Sequence, residues 1–265
     1  MGQLYLVGTV HTDPDGAYRL DRVLEALSPR NIFVEISADR AKDILASSLE
    51  KRLAEHEATM DRWTSQGFVL DADQRQRLLE LAAFKNKDYG YEVARPFDYQ
   101  SSHPDVQVHY VDVSSGSRLF RWLFTYGLRR AMGMHDKGLT PEVKASVLKG
   151  LESPFEEHVA NVRYDVERDY QRAEAFAEYF QIIGEDKDFF ASETATMPRH
   201  AVRSFRKVID PRRNQVIADG IRKKHGDGVS VGIMGVSHLY LVADFLIDLQ
   251  PSVNLLNEVP VPDVA

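Results

Sequence analysis

Uninterrupted apolar runs alternate with helix-periodic stretches along most of this chain, and that alternation predicts an α/β architecture. Leu4-Tyr5-Leu6-Val7 carries no charge and stops at Gly8, as expected of a strand covered on both faces. Residues 17–27 place Leu20, Val23, Leu24 and Leu27 at helical spacing, and Pro29 ends the run. Residues 31–36 form a second apolar run. Residues 3–36 therefore read as a βαβ unit, and such crossovers build parallel sheets.

The pattern continues with a charged helix from Ser37 to about Met60, its inner face made of Ile44, Leu45, Leu49 and Leu53. A helix follows over 71–86, and Tyr89-Gly90-Tyr91-Glu92 then leads through a short segment to Pro96. Residues 106–113 alternate apolar and polar and end in Asp112, which predicts a third strand. From 117 to about 179 strand signals stop, and helices are predicted over 141–151 and 154–180. Because the α/β pattern resumes afterwards, 117–180 reads as a helical insertion within a single domain, 1–265. A helix from Pro211 to Lys224, a strand over 229–234, a helix over 239–249 and an edge strand over 253–258 complete the chain. The expected fold is a central, mostly parallel sheet flanked by helices.

A net charge of -7 argues against a nucleic-acid partner, which usually needs a basic face. The absence of cysteine removes disulfides, thiolate metal sites and Cys nucleophiles. No apolar run reaches the roughly 20 residues of a membrane span. No basic segment followed by an apolar stretch opens the chain, so a cytoplasmic protein with no integral membrane segment is expected.

Four residues with reactive side chains fall at or just after predicted strand ends: His11, Glu35, Asp112 and His238. In parallel sheets ligands bind beyond the carboxyl ends of the strands. Imidazoles with carboxylates suit a divalent Zn, Mn, Co or Fe ion, while Glu35 could equally act as a base toward water. Asp13, two residues after His11, could be a ligand or hold the imidazole by its second nitrogen. His11 and His238 each end a Gly-x-x-His turn, Gly8–His11 and Gly235–His238. Arg212-Arg213-Asn214 opens a helix, where cations oppose the dipole. That conflict points to a partner such as a substrate carboxylate, phosphate or carbonyl oxygen, or to a surface salt bridge. Gly235-Val236-Ser237-His238-Leu239 lacks the last glycine of a nucleophile elbow, so Ser237 reads as a turn or cap residue. The arginine- and aromatic-rich stretch 118–130 reads as an amphipathic helix with its arginines at the wet edge. The remaining histidines have no supporting spacing.

Taken in order, Val7-Gly8-Thr9-Val10-His11, Phe33-Val34-Glu35, Gly90-Tyr91-Glu92, Arg213-Asn214 and Met234-Gly235-Val236-Ser237-His238 resemble the TraB/PrgY family. That family includes bacterial pheromone-shutdown proteins, GumN-like proteins and the Tiki metalloproteases. It lies in a superfamily with erythromycin esterases and haem-binding ChaN-like proteins. The resemblance implies an α/β core with a helical insertion and two Gly-x-x-His turns facing one pocket. By position it implies His11 and His238 as ligands of a divalent Mn, Co or Zn ion or as catalytic residues, with Glu35 as third ligand or as base. Arg213 and Asn214 match an Arg-Asn or Arg-Asp pair. Glu92 and, more loosely, Asp112 match acidic residues of the pocket; together with Arg212 they are the expected substrate-binding residues.

The leading expectation is a metal-dependent hydrolase of a peptide or other small amide, with Arg213 or Asn214 on the oxyanion. A metal-free hydrolase with His11 as base, oriented by Glu35, is the second. A non-catalytic module holding a peptide signal, haem or metal is the third.

Overall fold

A computed structural model describes residues 2–112, 141–195, 202 and 211–259 of the chain. Five strands form one all-parallel sheet: β1 (Gln3–Thr9), β2 (Asn31–Val34), β3 (Gln107–Tyr110), β4 (Val229–Gly235) and β5 (Ser252–Leu255), in the order β3-β2-β4-β1-β5. The predicted α/β class is what the chain adopts, with every strand pair parallel. Among the described residues the helices are α1 (Gly16–Leu27), α2 (Ala38–Leu45), α3 (Leu49–Ser65), α4 (Ala72–Asn86) and α5 (Tyr91–Ser102), then α6 (Pro141–Glu152), α7 (Phe155–Gln171), α8 (Ala173–Glu185), α9 (Lys187–Thr194), α10 (Pro211–Lys224) and α11 (Val236–Phe245).

Alternation along the strands feeds two cores, one on each face. Val7, Ile32, Val34, Val231 and Ile233 pack with Leu20 and Leu24 of α1 and Tyr91 of α5. Leu4, Leu6, Phe33 and Met234 pack with Ile217 and Ile221 of α10 and with Leu239 and Val242 of α11. A smaller cluster of Met60, Phe68, Leu70 and Leu151 joins the α3–α4 region to α6.

The helices differ from the periodicity in three places that matter for the site. The charged run after Ser37 is two helices, broken before Ser48, whose Oγ accepts from Lys51 N at 3.2 Å and caps α3. The long run after Pro154 likewise breaks at Arg172 into α7 and α8. Finally, α5 begins at Tyr91 and runs through Pro96, which is buried inside it. Proline usually marks a boundary because it lacks an N–H; here packing of Tyr91, Val93 and Pro96 outweighs that loss. The part of the predicted insertion over 117–140, including the 118–130 stretch, lies outside the described residues.

Gly90, the N-cap of α5, is at φ 73, in the left-handed region. A Cβ added there would meet Ile44 Cγ2 at 2.4 Å. Both the backbone and the space require glycine, and the turn aims Glu92 at the sheet edge. Gly90→Ala is expected to cost at least about 1–2 kcal/mol of unfolding free energy from the backbone alone. Urea denaturation checks this, and an unchanged midpoint would show that the turn relaxes freely.

Candidate functional site

Strand order brings the chemistry together. β4 inserts between β1 and β2, so the residues that follow β2, β4 and β1 lie side by side at the carboxyl edge. Thr9 pairs with Gly235 in register. Glu35 follows β2, Gly235 ends β4, and His11 follows β1. A Cβ built on Gly235 would stand 3.7 Å from His11 Nε2 and 3.8 Å from Glu35 Oε2. Gly235 has φ -59 and ψ 142, which any residue can adopt, so its missing side chain leaves space between these two groups.

Behind this gap lies a buried ionic cluster centred on Arg213, in the first turn of α10. Its Nη2 donates to Glu35 Oε1 at 2.7 Å and to Asp112 Oδ2 at 2.9 Å, and its Nε donates to Asp112 Oδ1 at 3.0 Å. Its Nη1 lies 2.9 Å from His238 Nε2. Glu35 Oε2 accepts from Gly235 N at 2.9 Å. Burial opposes the charge of Arg213, but Glu35 and Asp112 outweigh it and hold the guanidinium above its ordinary range.

A guanidinium can only donate, so Nε2 of His238 carries no proton and Nδ1 does. Nδ1 then donates to Asn214 Oδ1 at 2.7 Å. This assignment follows from the hydrogen-bond partners. Both ring nitrogens are thus occupied, and the residue is 6% exposed. Burial pulls the His238 imidazole below its ordinary range, so it is neutral at pH 7. Because its folded pKa is depressed, the stability it contributes is present above the unfolded value of 6.5 and is lost as pH falls below it. The Phe180 ring of α8 stacks over it, centroids 6.3 Å apart.

His11 is in the opposite situation. It stands in the turn after β1 with a side chain 76% exposed. Its Nδ1 bonds Glu92 Oε1 at 2.6 Å, and the Glu92 side chain is 9% exposed. The Glu92 charge, then the hydrogen bond to it, raises the His11 pKa from 6.5 to about 9. Solvent around the exposed ring weakens the contribution of this pair to stability. Because the folded pKa is raised, the pairing is complete below 6.5 and is lost as pH rises through the folded value.

The structure therefore brings His11, Glu35, Asp112, Arg213, Asn214, His238 and Glu92 to one edge, but in an arrangement that sequence spacing does not specify. Glu92, not Glu35, is the partner of His11. Asn214 is 2% exposed and faces His238, so it holds a ring instead of meeting an oxyanion. Arg212 is on the exposed side of α10. Asp13 neither touches the imidazole nor faces the gap: it is buried, and its Oδ2 accepts from Arg19 Nη1 at 2.8 Å and from the Tyr170 hydroxyl at 3.0 Å. Ser237 is the second residue of α11, whose N-cap is Gly235, so it lies inside the helix and is neither the turn nor the cap residue expected. Tyr170, Tyr91 and Phe180 carried no signal of their own. Tyr91 stood inside the quoted Gly-Tyr-Glu motif, while Tyr170 stood in a charged helix.

The donors do not fit the divalent ion that the resemblance implies. His238 Nε2 and Glu35 Oε1 are directed at a guanidinium, which occupies the place of the cation. Among the described residues no group of three or more His, Asp or Glu is arranged to hold a metal. Among the same residues no helix is long and apolar enough to cross a membrane.

The chain matches no protein-family model, no curated protein and no solved structure. The likeness to the TraB/PrgY family rests on its motifs, and the function rests on the site.

Proposed function

We propose that this protein hydrolyses an ester or amide bond by metal-independent acid–base catalysis, with His11 as general base and Glu92 as the residue that orients it. One observation carries the reading: an exposed imidazole is tied through Nδ1 to a buried carboxylate at 2.6 Å, which leaves Nε2 beside the gap over Gly235. With the proton on Nδ1 directed at Glu92, the lone pair of Nε2 takes a proton from water as the oxygen attacks the carbonyl carbon. Nε2–H then returns that proton to the leaving group. Glu35, held by Arg213 and Gly235 N, flanks the same gap and orients the water from the other side. The N-terminus of α11, which starts directly after Gly235, places positive potential near the developing oxyanion. Peptides and small amides or esters are the substrate class; the family resemblance supports hydrolysis and does not name the bond.

The test is a panel of chromogenic esters and aminoacyl anilides assayed with a chelator present. Turnover is expected to resist the chelator. Because the reaction needs unprotonated Nε2, kcat/KM should rise with pH through a midpoint between 6.5 and about 9. In Glu92→Gln the negative charge is gone, so that midpoint should fall toward 6.5, with lower activity on the plateau. Turnover abolished by chelator and restored by Mn, Co or Zn would replace this mechanism with the metal-dependent one. Binding without turnover across the panel would leave only a capture role.

A further inference from the structure

The ring of His11 is exposed, yet the backbone that carries it is held on both sides by buried groups. Both polar groups of the preceding residue, Val10, are bonded to buried tyrosines from two different helices. Val10 N donates to the Tyr170 hydroxyl at 3.3 Å, and the Tyr91 hydroxyl donates to Val10 O at 3.1 Å. Two residues after His11, Asp13 closes the turn. Its N–H donates to Val10 O at 2.8 Å, and its carboxylate accepts from Asp15 N, Arg19 Nη1 and the Tyr170 hydroxyl. Tyr170 thus gives its one proton to Asp13 and accepts the Val10 N–H, so it bonds both flanks of His11. Tyr91 and Tyr170 are each 1% exposed and Asp13 is 3% exposed. Burial pushes both phenols well above their ordinary range, so they remain donors at any working pH. Tyr91 immediately precedes Glu92, and Gly16 gives its ring room: a Cβ there would meet Tyr91 Cζ at 2.4 Å.

We infer that Tyr170 and Asp13 are positioning residues for the His11–Glu92 pair, through which α7 of the helical region sets the direction of the His11 ring. A side chain open to solvent loses rotamer entropy when it is held in one geometry, so its bond to Glu92 depends on a backbone that does not move. The inference rests on the reading of His11 as the working group, but its test does not need turnover. In free histidine the neutral ring favours the Nε2–H tautomer, whereas Glu92 selects Nδ1–H. The ring 15N shifts of His11, measured above the imidazolium midpoint, report which tautomer is present.

Wild type is expected to show Nδ1–H. Tyr170→Phe keeps the ring volume and deletes the hydroxyl, and it is expected to move His11 toward the Nε2–H tautomer. Where turnover is measured, kcat should fall about ten- to a hundredfold with KM little changed. Arg19→Gln, which loosens Asp13 from the other side and keeps the Tyr170 hydroxyl, serves where Tyr170→Phe fails to fold; the same tautomer change is expected. Tyr164→Phe, on the exposed side of α7, is the control and should change nothing. Unchanged 15N shifts in a folded Tyr170→Phe or Arg19→Gln protein overturn the inference, even if hydrolysis is found. A tautomer change without any turnover upholds the positioning and removes the hydrolase reading.

Discussion

His11→Ala is expected to lower kcat/KM by about 10²–10⁴-fold, the range of a positioned acid–base group, while unfolding free energy stays within about 1 kcal/mol of wild type. Both halves follow from where the residue sits. Its ring is three-quarters open to solvent, so little apolar area is lost with it. The turn around it is held by Tyr91, Tyr170 and Asp13, none of which the substitution touches. Water replaces the exposed ring beside Glu92. Steady-state kinetics and urea unfolding on the same preparation separate the two effects. A variant that keeps more than about a tenth of wild-type kcat/KM would falsify the assignment of His11 as base.

Arg213→Met should have the largest effect on stability, about 3–5 kcal/mol, because it removes the guanidinium that Glu35 and Asp112 share. Glu35 and Asp112 have side chains only 8% and 7% exposed, and both point at the guanidinium. His238 also loses the donor to its Nε2. For a domain of this size the corresponding fall in Tm is about 6–20 °C. Arg213→Lys keeps a charge but cannot reproduce the fork that meets Asp112 through Nε and Nη2 together, so it should fall between the two. Calorimetry or urea titration measures the series. A loss under about 1 kcal/mol for Arg213→Met would mean that the carboxylates reach water, and that the cluster is a surface feature with little stake in the fold.

Much of this architecture was legible before any coordinates. The apolar runs of β1, β2 and β4 are long enough, and free enough of charge, to be read as buried parallel strands. Placing His11, Glu35, Asp112 and His238 at strand ends needed only the general rule about parallel sheets. Helix boundaries were harder. Ser47-Ser48 is capping chemistry inside a run whose apolar spacing is unbroken, so periodicity merges α2 with α3. Pro96 argues against a helix locally, and only the burial of Tyr91 and Val93 around it decides otherwise.

Within the site, local sequence determined which side chains arrive at the carboxyl edge and at which strand end. It could not determine their partners. The two Gly-x-x-His turns are alike in sequence, yet Thr9 extends β1 one residue beyond Gly8 before the chain turns, while α11 starts directly after Gly235. One histidine therefore ends exposed at a rim and the other buried against Asn214. That difference comes from register and from what packs above each turn. Likewise, the contacts of Arg213 with Glu35, Asp112 and His238, and of His11 with Glu92, join residues 25 to 178 positions apart. Hydrogen bonds of a few ångströms across such separations are set by strand order and helix docking. No periodicity along the chain encodes them, and they decide whether a histidine ends as an exposed ring paired with a carboxylate or as a buried neutral one.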